Sequence, residues 1–454
     1  MSVRLCEATL DRLPPWVERP RGRPPARVVH LGIGAFHRAH QAMVFDDLGW
    51  GVIGASLRSS RVRGILAPQD FLYTVCLGEE VRVIGAVRDV LCDHAAIIDR
   101  IASPETRLVT LTVTEKGYLP GSPAIGVLAQ ALARRSEPLA VVSCDNLPGN
   151  GAKLGEAVLA AAGDAAERIA ATCAFPATMV DRIVPASESA DIEALAARTG
   201  LVDRAVVKAE PFFQWVIEDR FGAAERPDLA RAGVQFAQDI APWEEAKLRL
   251  LNGAHSAMAY LGGLAGIAFV HEALAVPAIM RFVESLWDEA ETTLAPAAGL
   301  DVGAYRVALM RRFGNPMLQH RLQQIAMDGS QKLPQRLLAP IAARLEQGRG
   351  IAALSLAVAA WMRWQHGRDD KGQAFAVDDP LAGETARRLA GLLDPAAQVR
   401  ALIGLEEVFP PSLAADPRFE AAVTRQYERL AAKGALGVLL DGDWAEGGRG
   451  CGRK

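Results

Sequence analysis

A chain of 454 residues with half its residues apolar and a formal net charge of −3 has an ordinary globular composition, with room for two or three domains with substantial cores. The near balance of charge leaves no electrostatic footprint for nucleic acid, so none is expected as a partner. Its six cysteines, Cys6, Cys76, Cys92, Cys144, Cys173 and Cys451, are scattered without a CxxC pair. They suggest neither a disulfide framework nor a thiolate zinc site, so the expected compartment is a reducing cytoplasm.

Near the N-terminus Arg19, Arg21, Arg23 and Arg27 stand among prolines with no apolar h-region, which does not read as a signal peptide. Strand-like stretches follow at 28–31, 51–57, 71–77, 81–87, 107–114, 139–144, 178–184, 205–208 and 214–217. Amphipathic segments such as 122–135 and 153–171 lie between several of them. That alternation predicts an α/β fold with a mostly parallel, helix-covered sheet: a Rossmann-type dinucleotide-binding domain over 1–238. From Pro242 the pattern turns helical, at 276–294, 304–313, 317–327, 337–347, 351–366, 381–393 and 419–433. It predicts a mostly α-helical substrate and catalytic domain over 239–454. The Gly- and Arg-rich tail after Asp441 is expected to fray. The run 250–270 lacks Asp, Glu, Lys and Arg, yet Asn252, His255, Ser256 and its glycines make a buried helix pair a better reading than a membrane span.

The first strand runs into Gly32-Ile33-Gly34-Ala35-Phe36-His37-Arg38. Glycines here let a turn close and let backbone approach a pyrophosphate, so Gly32, Gly34, Ala35, Phe36, His37 and Arg38 are candidate cofactor-binding residues. His37 occupies the third-glycine position, and the pattern alone is equally compatible with a plain tight turn. The acid usually expected after the second strand is replaced by Ser56-Leu57-Arg58, which leaves NAD versus NADP open. Polar loops at 112–118 and 143–151 follow apolar strands, where ligands of open α/β sheets gather. Thr112 in the first is a cofactor candidate. Asn146 in the second is either a donor to a carbonyl oxygen or an Asx-turn residue beside Pro148 and Gly149. Asp181 and Arg182 sit inside an apolar stretch, where a structural ion pair is the simpler account.

In the stretch 242–256, Pro242, an acidic first turn and good helix formers predict a helix start. At about 100° per residue, Lys247, His255 and Asn252 fall near 0°, 80° and 140° on its wheel. Glu245 and Arg249 form a separate i,i+4 pair. Each polar residue alone is most often a solvated or hydrogen-bonded side chain. Together they make a face with an amine, an imidazole and an amide. A Lys against an apolar wall can lose much of its solution pKa of about 10.4 and remove a proton from an alcohol near neutrality. The stretch 328–336 reads as a helix end with a turn; its Lys332 and Arg336 either hold an anionic substrate or neutralise a helix C-terminus.

With these residues in view, the chain resembles the long-chain polyol-specific dehydrogenases, the mannitol dehydrogenase family. The resemblance runs from about Val28 to the mid-400s, on the blocks GIGAFHRAHQA, TVTEKGY, SCDN, FPATMVDRIVP, EPFFQWVIED, KLRLLNGAHS and IAMDGSQKLPQR. The spacing Lys-x4-Asn-x2-His is similar to that family's catalytic signature. The resemblance implies Lys247 as general base, Asn146 and Asn252 around the reacting oxygen, and His255 orienting the substrate. It further implies Asp181, Lys332 and Arg336 as substrate-binding residues, Glu244 and Glu115 as a proton relay, NAD as cofactor and no metal. IAMDGSQKLPQR, SCDN and VDRIVP look most like the fructuronate reductase branch, which interconverts D-mannonate and D-fructuronate. Mannitol 2-dehydrogenases tend to carry an Arg near position 324, and Gln324 departs from that; the polyol branch stays open as the alternative. A silent dinucleotide-binding sensor is a further alternative, against which the intact Lys247, Asn252, His255 and Asn146 speak. The expected partner is a small sugar acid or polyol, with no membrane; a monomer is compatible with the sequence, which sets no oligomeric state.

Overall fold

The computed structural model describes residues 3–442 and Trp444. Cys451 and nearly all of the tail expected to fray lie outside the described residues. The chain divides into two compact units, Met1–Trp243 and Glu244–Lys454.

The first unit is built on a six-stranded sheet of β1 (Ala26–Leu31), β2 (Gly51–Ala55), β3 (Val87–Leu91), β4 (Leu108–Leu111), β5 (Leu139–Ser143) and β6 (Cys173–Ala174). All neighbours pair parallel, in the order β3-β2-β1-β4-β5-β6. The chain therefore starts in the middle, steps outward on one side and returns to the other. The switch point falls between β1 and β4, where doubly wound folds hold their ligands. The central strands are apolar on both faces because both faces are covered. On one, Val29, Leu31, Val109 and Val141 meet Ile97, Ile101, Leu128 and Leu154; on the other, Val28, Val52 and Val142 meet Phe45, Val75 and Trp215. Each such side chain contributes roughly 1.5–3 kcal/mol of burial.

The sheet departs from the expected strands in three places. The stretch 81–87 is not one strand: Glu80–Ile84 ends at Gly85, and Val87 opens β3. Gly85 makes the break, because its amide donates to Asp46 Oδ1 at 3.0 Å and a Cβ there would lie 2.6 Å from the Gly22 carbonyl oxygen. Tyr73–Leu77 pairs antiparallel with Glu80–Ile84 outside the main sheet, and Thr178–Asp181 pairs antiparallel with Gln214–Glu218. The helical stretch 153–171 is interrupted at Gly163, whose φ of +54° favours glycine.

The second unit is helical. Gly253–Leu264 is buried on nearly every side, packed against Pro277–Glu291, Leu322–Ala326 and Ala352–Trp364. Gly262 and Gly263 permit that closeness: a Cβ would lie 2.7 Å from Leu322 and 2.5 Å from the Trp364 ring. The expected helix at 317–327 shortens to Leu322–Ala326, since Asn315 caps a turn onto Met317 N at 3.0 Å and Arg321 bridges to Phe269. No described helix is long and apolar enough to cross a membrane.

Candidate functional site

In the first unit β1 runs directly into the Gly32–Gly34 turn. Gly32 has φ +94°, and a Cβ on it would stand 2.0 Å from the Thr112 carbonyl oxygen, so only glycine fits. Gly34 is exposed, its amide donating to the Gly32 carbonyl at 2.7 Å. A Cβ there would meet nothing nearer than 3.9 Å, which leaves that side of the turn open to a ligand. Ala35–Arg38 follows as a short helix. Its polar side chains turn inward: the His37 ring stacks on His30 with centroids 3.4 Å apart, and Arg38 donates to the Ala205 carbonyl and lies over the Tyr73 ring. His37 thus has backbone rather than side chain to offer at the turn, while the Arg38 amide donates to the Gly34 carbonyl at 3.2 Å. Burial pushes His30 down to about 3, so it is neutral; it bridges Thr110 Oγ1 at 2.7 Å and Thr112 Oγ1 at 3.0 Å. Thr112 in turn donates to the Gly32 carbonyl at 2.8 Å, which ties the turn to β4.

Beside the turn lies a cavity of about 220 Å³, with Gly32, Ser56, Arg58, Thr112, Thr114 and Ser122 in its wall. Thr114 has φ +66°, an unfavourable backbone for a β-branched residue. Asp145 holds it there, accepting from Thr114 N at 2.9 Å, Val113 N at 3.1 Å and the Tyr118 hydroxyl at 2.8 Å. The sequence reading passed over both, since a Thr ending a strand carries no mark of positive φ. Asn146 follows Asp145 on an exposed loop. Asp181 ends its strand, buried opposite Gln214, while Arg182 braces the carbonyls of Ala39, Pro211 and Phe212. Glu115 opens a short turn; its side chain lies outside what the structure describes.

In the second unit the expected α-helix over 242–256 is not uniform. Ala241–Ala246 is α-helical, Lys247–Asn252 is π-helical and Gly253–Leu264 is α-helical again. In a π-turn the bond runs i to i+5, so Lys247 and Asn252 stand nearly above one another. The α-helical wheel set them about 140° apart, and that expectation is corrected here. Lys247, Asn252 and His255 are all buried. Glu244, half-buried, is one turn before Lys247. The Glu245–Arg249 pair forms at 3.3 Å.

The stretch 328–336 also differs from its reading. It begins a helix, Gly329–Leu333, which passes through a second π-helical segment, Pro334–Leu338, into Ala339–Glu346. The two π segments pack on each other, and Gly253 allows it: a Cβ there would stand 3.2 Å from the Arg336 carbonyl oxygen. Arg336 donates to Ser256 Oγ at 3.1 Å and reaches the Asn252 carbonyl at 3.5 Å, so it joins the Lys247 helix. Lys332 donates to the carbonyls of Ile325 and Met327, closing the end of Leu322–Ala326. His320, not singled out from sequence, stands edge-on to His255 at 5.3 Å. Burial, then the charges of His320, Arg312 and Arg336, hold His255 well below its ordinary value; burial and Lys332 bring His320 down to about 4. Both are neutral imidazoles near pH 7. His255 Nε2 is buried without a hydrogen-bond partner among the described residues. Among those residues no group of three or more His, Cys, Asp or Glu is placed to hold a metal ion.

Two sequence families match this architecture in tandem. The mannitol dehydrogenase Rossmann domain matches residues 26–231, and the mannitol dehydrogenase C-terminal domain matches residues 239–431. The chain belongs to the mannitol dehydrogenase family. It is accordingly an oxidoreductase with a Rossmann domain followed by a helical one. The D-mannonate oxidoreductase of Escherichia coli K12 is 39% identical over 461 residues, covering 90% of this chain and 94% of that protein. The mannitol 2-dehydrogenase of Pyrenophora tritici-repentis is 36% identical over 464 residues, covering 91% and 81%. A solved mannitol 2-dehydrogenase of Pseudomonas fluorescens, in ternary complex with NAD and D-mannitol, superposes with a TM-score of 0.87 at 35% identity, covering 97% of this chain and 99% of that one.

Proposed function

We propose that this protein interconverts a secondary alcohol and a ketone on a sugar acid, D-mannonate and D-fructuronate, with NAD(H). The observation that carries the reading is His255 Nε2: a buried, neutral ring nitrogen with no hydrogen-bond partner among the described residues, close enough to Arg336 for that charge to depress its protonation. Buried polar groups are nearly always paired. This one calls for a hydroxyl or carbonyl oxygen of a substrate, and the adjacent cation suits a carboxylate. The open side of Gly34 and the Gly32 turn fit a dinucleotide pyrophosphate over the passage Gly32, Gly34, Ala35, Phe36, His37 and Arg38, with the amides of Ala35, Phe36 and His37 in the first turn of the helix as donors and Thr112 alongside.

When bound, the nicotinamide accepts or supplies the hydride. Lys247 takes the hydroxyl proton during oxidation and returns it to oxygen during reduction. Asn252 and Asn146 donate to the oxygen as negative charge builds on it, an interaction worth about 2.7–4 kcal/mol per donor in other enzymes. His255 orients the hydroxyl-bearing carbons, Arg336 pairs with the carboxylate, and Asp181 and Lys332 complete the substrate-binding set. Lys332 already donates to two carbonyls, which makes Arg336 the stronger candidate for the acid. Glu244 and Glu115 relay the proton to solvent.

The D-mannonate oxidoreductase at 39% identity supports the sugar acid. The second reading, mannitol and fructose, draws on the solved mannitol 2-dehydrogenase at 35% identity. NADH oxidation measured separately with D-fructuronate, D-tagaturonate and D-fructose distinguishes them. The proposal expects fructuronate to give the highest kcat/KM. A preference for fructose moves the assignment to the polyol branch, and no turnover with any of them leaves a silent nucleotide-binding protein.

A further inference from the structure

The cavity beside the Gly32 turn has an unusual wall where β2 ends. From Ala55 the chain continues as Ser56-Leu57-Arg58-Ser59-Ser60-Arg61, and Ser56, Leu57 and Arg58 line the cavity. In dinucleotide-binding sheets an acid after this strand bonds the adenosine 2′-hydroxyl, and it repels a 2′-phosphate; a guanidinium nearby accommodates the phosphate instead. Among the described side chains lining this cavity there is no Asp or Glu. Nearby acids are engaged elsewhere. Asp89 pairs with Arg63 at 3.3 Å, and Asp93 caps the helix His94–Ala102 by accepting from Ala96 N at 2.8 Å.

Arg58 is different. It is exposed at the cavity and makes no hydrogen bond or ion pair with any described residue, whereas Arg63 on the next helix is paired. Ser56 Oγ donates to the Ser59 carbonyl at 2.7 Å, which closes the loop that carries Arg58 and leaves the Ser56 oxygen able to accept a ribose hydroxyl proton. A planar fork of donors with no partner among the described residues suits a phosphate monoester. We propose that Arg58 seats the 2′-phosphate of NADP(H), so that the protein accepts NADP(H) as well as NAD(H). This rests on the cavity being the adenosine end of the dinucleotide site proposed above.

Calorimetric titration of the full chain with 2′,5′-ADP and with 5′-AMP isolates the 2′-phosphate without turnover. The wild type is expected to bind 2′,5′-ADP about tenfold or more tightly than 5′-AMP, the equivalent of one charged hydrogen bond. That preference should shrink as salt is raised. Arg58→Ala should bring the two affinities within about twofold of each other while sparing 5′-AMP, and Arg58→Lys should keep part of the preference. Equal wild-type affinities, or equal losses for both nucleotides in Arg58→Ala, would overturn the inference. NADH fluorescence titration separates the two readings. If NADH binds but 2′,5′-ADP has no advantage, only the 2′-phosphate seat fails. If neither NADH nor either nucleotide binds, the dinucleotide site fails with it.

Discussion

Lys247 is buried at the start of its π-turn. As general base it must be neutral to accept a proton, so alcohol oxidation should rise with pH along a single ionisation. Lys247→Ala should lose that dependence and at least about 10²-fold in turnover, with NADH affinity unchanged. Added small amines should restore part of the rate. Near-normal turnover in a folded Lys247→Ala protein would remove Lys247 from the chemistry. The two turn glycines should separate folding from binding. Gly32→Ala forces a Cβ to 2.0 Å from a carbonyl oxygen at φ +94° and should cost more than about 1 kcal/mol of stability. Gly34→Leu has open space before it and should leave the melting temperature in place while weakening NADH binding. Equal melting temperatures for the two variants would contradict that division.

At the scale of elements, what brings Lys247, Asn252 and His255 onto one face is the π-helical segment. Residue types alone could show that 242–256 is helical and polar on one side. They could not show an i→i+5 turn, because Lys, Leu, Arg and Asn carry no mark of it, and the wheel assumed uniform α geometry. The second π segment was hidden for a related reason. Pro334 and the Asp328-Gly329 pair read as a helix end, whereas Asp328 starts one with φ +53° and Pro334 sits early enough in its turn to be tolerated. The main sheet was more legible, since the strand cores at 28–31, 107–114 and 139–144 are rich in Val and Leu. Its edge strand Val87–Leu91 was not, because Arg88 and Asp89 interrupt the pattern.

Across the whole molecule, buried histidines set the response to acid. His30 is brought down to about 3 and His320 to about 4, with His37 and His255 held well below the ordinary value. In the unfolded chain each takes its proton near 6.5. Between about 6.5 and those lowered values the unfolded state binds protons that the native state does not, so stability is complete above about 6.5 and falls as pH drops. Buried Asp46 and Asp203, whose values are raised, act in the opposite sense. The variant His320→Gln should therefore show a shallower loss of urea midpoint between about neutral pH and about 4 than the wild type. Identical slopes would mean that His320 is not held neutral. The division into Met1–Trp243 and Glu244–Lys454 assigns the Gly32 turn to one unit and the Lys247, His255 and Arg336 cluster to the other.

The sugar-acid reading turns on Arg336, and one ratio tests it most directly: kcat/KM for D-fructuronate divided by kcat/KM for D-fructose, in the wild type and in Arg336→Met. A carboxylate held by this guanidinium predicts a ratio well above one that falls by about tenfold or more in the variant, the loss of one charged hydrogen bond. A wild-type ratio below one, or a ratio that the substitution leaves unchanged, would contradict the account.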